Sequence, residues 1–262
     1  MTTVEVRRDG PVAVIRMNRP EVHNALDPEM LDLLVDSVGS TAADESVRAI
    51  VLTGGRTAFT TGEDLIAAAH FDPSAGKRQA ARFQELATAL RFARQPVIAA
   101  IGGYAYGGGL EIAVSCDARI AADNARFACP EVEWSLTLSN GSSVLLRQLI
   151  GEGWTRELLL FGAVLDATSA LRVGLVTRVV PVYDLEPQAV AMAHRAASFS
   201  ASALKRTKDL LNADPRPWQE TLAAETAAVV AGLGNDELQQ RLRRFAERKR
   251  RRPGSQSPDG AG

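Results

Sequence analysis

Apolar and polar positions alternate through residues 3–17, with Val4 and Val6 before Asp9-Gly10 and Val12 and Val14 after it. An Asp-Gly pair between two alternating runs predicts a β-hairpin. Asn18-Arg19-Pro20 ends the second strand. The period then lengthens. Met30, Leu33, Leu34 and Val38 recur at helical spacing behind Asp27, a predicted N-cap, and Pro28 at the first helical position. Residues 48–53 read as a short buried strand closed by Gly54-Gly55, and 58–65 as a strand end or loop. Residues 66–78 are polar and punctuated by Gly and Pro, which predicts a mobile loop. Phe83, Leu86, Ala87 and Leu90 mark another amphipathic helix, leading into a buried strand over 96–101.

Residues 102–111 bring five glycines and then Glu111, a loop followed by a helix opening at 107–109. Glycines there permit positive φ and close approach of a ligand to the backbone. The first turn of a helix also presents free N–H donors to a developing negative charge. Strands follow at 118–122 and, briefly, 177–180. Residues 126–131 run into a second acid, Glu131. Residues 139–143 read as a helix entry, with Ser139 and Asn140 as an N-cap pair. The rest is helical in pattern, to a last amphipathic stretch with Leu238, Leu242 and Phe245. A basic run at 248–252 and a Gly/Ser/Pro tail, read as disordered, close the chain. Strands alternating with helices predict an α/β fold with mostly parallel pairing and ligand sites at the carboxyl ends of strands.

Composition narrows the function classes. The 262 residues are 46% hydrophobic and 23% charged, with 30 basic and 31 acidic side chains and a net charge of −1. That balance points to neither nucleic acid nor an anionic membrane as partner. The apolar runs are too short to span a bilayer, and the N-terminus lacks the apolar core of a signal peptide. Cys116 and Cys129 read as free thiols of a reducing cytoplasm. The glycine spacing does not fit Gly-x-Gly-x-x-Gly, and no P-loop lysine follows. No Gly-x-Ser-x-Gly elbow is present. His23, His70 and His194 lack the spacing of a zinc site. No metal or nicotinamide cofactor is expected.

Four segments then resemble, in order and spacing, the crotonase superfamily, the enoyl-CoA hydratase/isomerase fold. They are Arg19-Pro-Glu-Val-His-Asn-Ala-Leu26, Ala58-Phe-Thr-Thr-Gly-Glu-Asp-Leu65, the long run over 96–117, and Phe127-Ala-Cys-Pro-Glu131. The resemblance implies a crotonase-like spiral of ββα units over 1–195 and a helical trimerisation region over 196–252, with a tail over 253–262. It also implies an acyl-CoA thioester as ligand, no cofactor beyond the coenzyme A of the substrate, and a cytoplasmic homotrimer or hexamer. By position, the backbone N–H groups of Thr61 and Gly108 would form an oxyanion hole. Glu111 and Glu131 fall on the two catalytic glutamates of the family's hydratases. Ala25, Leu26, Gly62, Asp64, Leu65, Tyr104, Gly107, Pro130, Trp134 and Ser139 would bind substrate.

Hydration of a 2-enoyl thioester needs one carboxylate to take a proton from water and another group to protonate C2. Glu111 is assigned the first task and Glu131 the second. The chain departs from the family's pattern at 134–143, where a Gly-rich run is common and only Gly141 remains. It departs again at Glu63, where a small residue is common and the side chain is expected on the outer side. The alternatives are another crotonase-fold enzyme (isomerase, thioester hydrolase or biosynthetic dehydratase) and a non-catalytic acyl-CoA-binding member. For the basic run at 248–252 the choice lies between a solvated helix end and a cation that reaches a CoA phosphate.

Overall fold

The computed structural model describes residues 2–134 and 136–213. The hairpin forms around Asp9-Gly10: β1 (Val4–Asp9) pairs antiparallel with β2 (Val12–Met17). Helix α1 (Pro28–Ala43) begins where its cap predicts, with Asp27 accepting from the Met30 N–H at 2.9 Å. Its buried face is Met30, Leu31, Leu34, Val35 and Val38, whereas Leu33 is exposed. At about 100° per residue, positions 31 and 35 join the stripe of 30, 34 and 38, and 33 falls outside it.

Next come β3 (Ala49–Thr53), β4 (Ala58–Thr60), α2 (Leu65–Ala68) and α3 (Pro73–Phe92). The loop expected over 66–78 is thus mostly helical. Asp64 caps α2 by accepting from the N–H groups of Ile66 and Ala67, and Asp72 caps α3 by accepting from Ala75 N–H. Strand β5 (Val97–Ile101) is followed by β6 (Tyr104–Tyr106), a three-residue strand inside the segment whose glycines predicted a loop. Then follow α4 (Gly108–Val114), β7 (Ala118–Ala122) and β8 (Arg126–Ala128). Helix α5 (Ser142–Phe161) starts at a left-handed Gly141 with no side-chain cap, so Ser139 and Asn140 are not its N-cap pair. The remaining elements are β9 (Leu165–Asp166), α6 (Ala167–Arg172), β10 (Arg178–Val180), α7 (Leu185–Ala197) and α8 (Ala201–Asn212).

Two sheets organise these elements. The larger runs β1-β2-β3-β5-β7-β10, parallel from β2 onward. Its strands are apolar on both faces because both are covered. Ile15, Ile50, Leu52 and Ile101 face the main core with α1 and α3, while Val14, Val51, Ile98 and Ile120 face Leu185, Ala189 and Ala193 of α7. The smaller sheet runs β4-β6-β8-β9, its first three strands parallel. The compact unit with both sheets runs to Leu204, past the boundary expected at 195, and another begins at Lys205. The expected helix with Leu238, Leu242 and Phe245, the basic run at 248–252 and the tail lie outside the described residues.

Candidate active site

The parallel strands of the small sheet deliver the candidate residues from their carboxyl ends. β4 leads into 61–64, β6 into Gly107 and α4 with Glu111, and β8 into Pro130 and Glu131. Parallel strands whose ends share one edge bring distant segments together there. Gly107 N–H donates to Ala128 O at 2.9 Å, tying the ends of β6 and β8. Gly62 (φ +82°) packs so close to α4 that a Cβ would stand 2.7 Å from Gly108 N. A side chain there would meet backbone, and an L residue would be strained at that φ.

The first motif holds this edge in place. Asn24 is fully buried, with its side-chain N–H groups donating to the carbonyls of Gly54, Ala58 and Phe59 and its oxygen accepting from Arg19 N–H. It sits at φ 57°, a conformation that Asn tolerates better than most residues. Leu26 N–H donates to Gly62 O at 2.7 Å, and Asp64 N–H donates to Leu26 O at 3.1 Å. That parallel bridge centres on Glu63 and turns the Glu63 N–H away from residue 26.

These bonds correct the expected donor pair. Thr61 N–H donates to His23 O at 3.2 Å and is not free to meet a ligand. Glu63 N–H, two residues on, has no acceptor among the described residues. Gly108 opens α4, so its N–H has no carbonyl one turn back. The available donors are therefore those of Glu63 and Gly108. The sequence carries one signal for this, a glycine at position 62 directly before residue 63, and in the structure that glycine takes a positive φ.

Two carboxyls face these donors with different environments. Glu111 is 2% exposed, and its Oε2 accepts from Ser139 N–H (3.2 Å) and Asn140 N–H (3.0 Å). The segment that departs from the family pattern thus fixes the first acid. Burial pushes the Glu111 carboxyl up, and the two N–H groups draw it back. Both oxygens of Glu131 are buried with no hydrogen-bond partner among the described residues. Burial pushes Glu131 up to about 7; its own backbone N–H opposes that push, and the nearby Glu111 charge adds a smaller one. The N–H bonds make Glu111 the better place for negative charge, and Glu131 the better place for the proton.

A cavity of about 800 Å³ opens over this group. Thr61, Gly108, Glu111 and Glu131 line it, and so do Ala25, Asp64 and Leu65. From the other strand ends Gly107, Pro130, Trp134 and Ser139 join them. Three expected substrate-binding residues do not line it. Leu26 is fully buried and Gly62 packs on α4, so both act through the backbone, while Tyr104 stacks edge-on against His23 and Tyr106. Asp64 has a structural task as well. Burial opposes its ionisation, but Arg19 at 2.8 Å and the α2 N–H groups outweigh that and hold its carboxyl low. Glu63, expected on the outer side, lines the cavity. Cys116 and Cys129 are buried and form no disulfide. Among the described residues no helix is long and apolar enough to cross a membrane.

Known proteins match this arrangement over nearly the whole chain. The family model for enoyl-CoA hydratase/isomerase matches residues 7–254. A short-chain-enoyl-CoA hydratase of Clostridium acetobutylicum is 32% identical over 252 residues, covering 95% of this chain and 97% of its own. A crotonyl-CoA hydratase of Syntrophomonas wolfei is 34% identical over 208 residues, covering 79% of this chain and 80% of its own. The crystal structure of an enoyl-CoA hydratase from Bacillus anthracis superposes with a TM-score of 0.90 at 30% identity, over 94% of this chain and 97% of that one. The expected fold stands, and the chain belongs to the enoyl-CoA hydratase/isomerase family, with the crotonase fold.

Proposed function

We propose that the protein is an enoyl-CoA hydratase-type lyase that adds water to, or removes it from, a 2-enoyl-CoA thioester. The observation that carries this is a pair of glutamates with buried carboxyls in one cavity, Glu111 anchored by two backbone N–H groups and Glu131 by no donor among the described residues. In the hydration direction, Glu111 takes a proton from water as its oxygen attacks C3. The π electrons move toward the thioester, whose oxygen becomes an enolate oxygen held by the N–H groups of Glu63 and Gly108. One such donor is worth about 3–4 kcal/mol of transition-state stabilisation in other enzymes. Glu131 then delivers its proton to C2, and the thioester carbonyl returns. Proton exchange resets the pair.

The hydratase names of the relatives support this chemistry over isomerisation, hydrolysis or simple binding. The scheme uses no cofactor beyond the coenzyme A of the substrate, and we place the enzyme in the cytoplasm as a homotrimer or hexamer. Loss of the crotonyl-CoA enone absorbance on adding enzyme is the expected result. Glu111→Gln and Glu131→Gln should each lower kcat by about 10²-fold or more while leaving the affinity for butyryl-CoA largely intact. An unchanged enone signal with wild-type protein, or full activity in either variant, overturns the reading.

A further inference from the structure

The described residues that line the cavity include five carboxyls and no Lys, Arg or His. Four of the five are accounted for. Asp64 pairs with Arg19 and caps α2, and Asp72 caps α3. Glu111 and Glu131 carry the proposed proton transfers. Glu63 remains. It is half-buried, its carboxyl is pushed up by burial alone, and no donor among the described residues reaches it. Nor do these acids form a metal site, since no group of three His, Cys, Asp or Glu among the described residues is placed to hold an ion. Glu63 follows Gly62 directly, and its own N–H faces away from residue 26 beside the start of α4. Its side chain therefore leaves the backbone next to the proposed thioester position.

A half-buried acceptor without a protein donor discriminates in two directions. A ligand group that donates a hydrogen bond satisfies it, whereas a carboxylate adds like charge to a wall whose described residues include no cation to offset it. Resting on the hydratase reading, we propose that the Glu63 side chain sets acyl specificity. It accepts a hydrogen bond from acyl groups that carry a hydroxyl near the double bond, and it rejects those that end in a carboxylate.

Three esters test this at pH 8: crotonyl-CoA, 4-hydroxycrotonyl-CoA and glutaconyl-CoA, each followed by kcat/KM. Every variant keeps the backbone N–H at position 63, and the readout is a ratio between substrates. Glu63→Gln removes the charge at nearly constant size and should raise the glutaconyl-to-crotonyl ratio roughly tenfold. Glu63→Leu removes the acceptor and should lower the 4-hydroxycrotonyl-to-crotonyl ratio roughly tenfold, the lower end of what a hydrogen bond to a charged group contributes. A ratio within twofold of wild type in either arm overturns the proposal. Failure of the hydratase reading looks different: wild-type protein then turns over none of the three. In that event the affinities of butyryl-CoA and glutaryl-CoA, by calorimetry on wild type and Glu63→Gln, decide the charge arm. An equal preference in both proteins overturns it.

Discussion

Glu131 has opposite consequences for stability and for chemistry. Its folded carboxyl titrates at about 7 against an ordinary 4.5. The folded protein therefore holds that proton more tightly than the unfolded chain does. Stability then falls as pH rises from the ordinary value through about 7. Gln is neutral throughout. Glu131→Gln should raise stability at pH 8 by about 1–2 kcal/mol, allowing for partial solvent screening, and should leave it nearly unchanged at pH 4. Thermal denaturation at both pH values checks this, and equal Tm values at pH 8 would count against it. In the wild type, kcat for hydration should decline above about pH 7 as the pair loses its shared proton. A flat alkaline limb to pH 9 would remove Glu131 as the acid. The residue scale is also where sequence reading reached its limit. The motifs place Glu111 and Glu131, and both line the cavity, but the free N–H lies two residues beyond the Thr61 that the motif points to. Which N–H is free depends on the His23 carbonyl, and that contact joins segments 38 positions apart (61 − 23).

At the scale of elements, what holds the site is the bond between the 19–26 motif and the ends of β4. Removing the Asn24 amide would strip a buried donor from three carbonyls at once. Asn24→Ala is expected to cost about 3 kcal/mol and to lower kcat more than it raises KM, because 61–64 loses its support. Chemical denaturation and steady-state kinetics on crotonyl-CoA measure the two effects; a loss of stability with kcat intact would separate this scaffold from the donors. Elements were legible wherever they bury an apolar stripe, as in α1, β3, β5 and β7. The start of α3 was not. Asp72, Gly76 and Ala80 face the cavity instead of the core, so the helix shows small and polar residues where a stripe would stand. Ser139 and Asn140 looked like caps for a similar reason. Their composition suits a helix entry, but their N–H groups are committed to Glu111, and no local pattern reports a partner 28 or 29 positions away.

For the whole molecule, the exposed end of α5 bears on assembly. Trp154, Leu160 and Phe161 are exposed, with Val164 just beyond, and Phe161 is 77% exposed. Apolar side chains grouped in this way favour coverage by another surface. The same end adjoins the site. A Cβ on Gly162 would stand 3.1 Å from Glu133 Oε1, and Glu133 belongs to the short 3-10 turn Glu131–Trp134. Covering α5 would therefore steady the turn that carries Glu131. Light scattering should give three or six times the chain mass. Leu160→Glu combined with Phe161→Glu should lower that mass, and kcat should fall along with it because the Glu131 turn loses its backing. A monomeric wild type contradicts the assembly. A double variant that becomes monomeric with full kcat would leave the assembly intact as a reading and break its link to the active site.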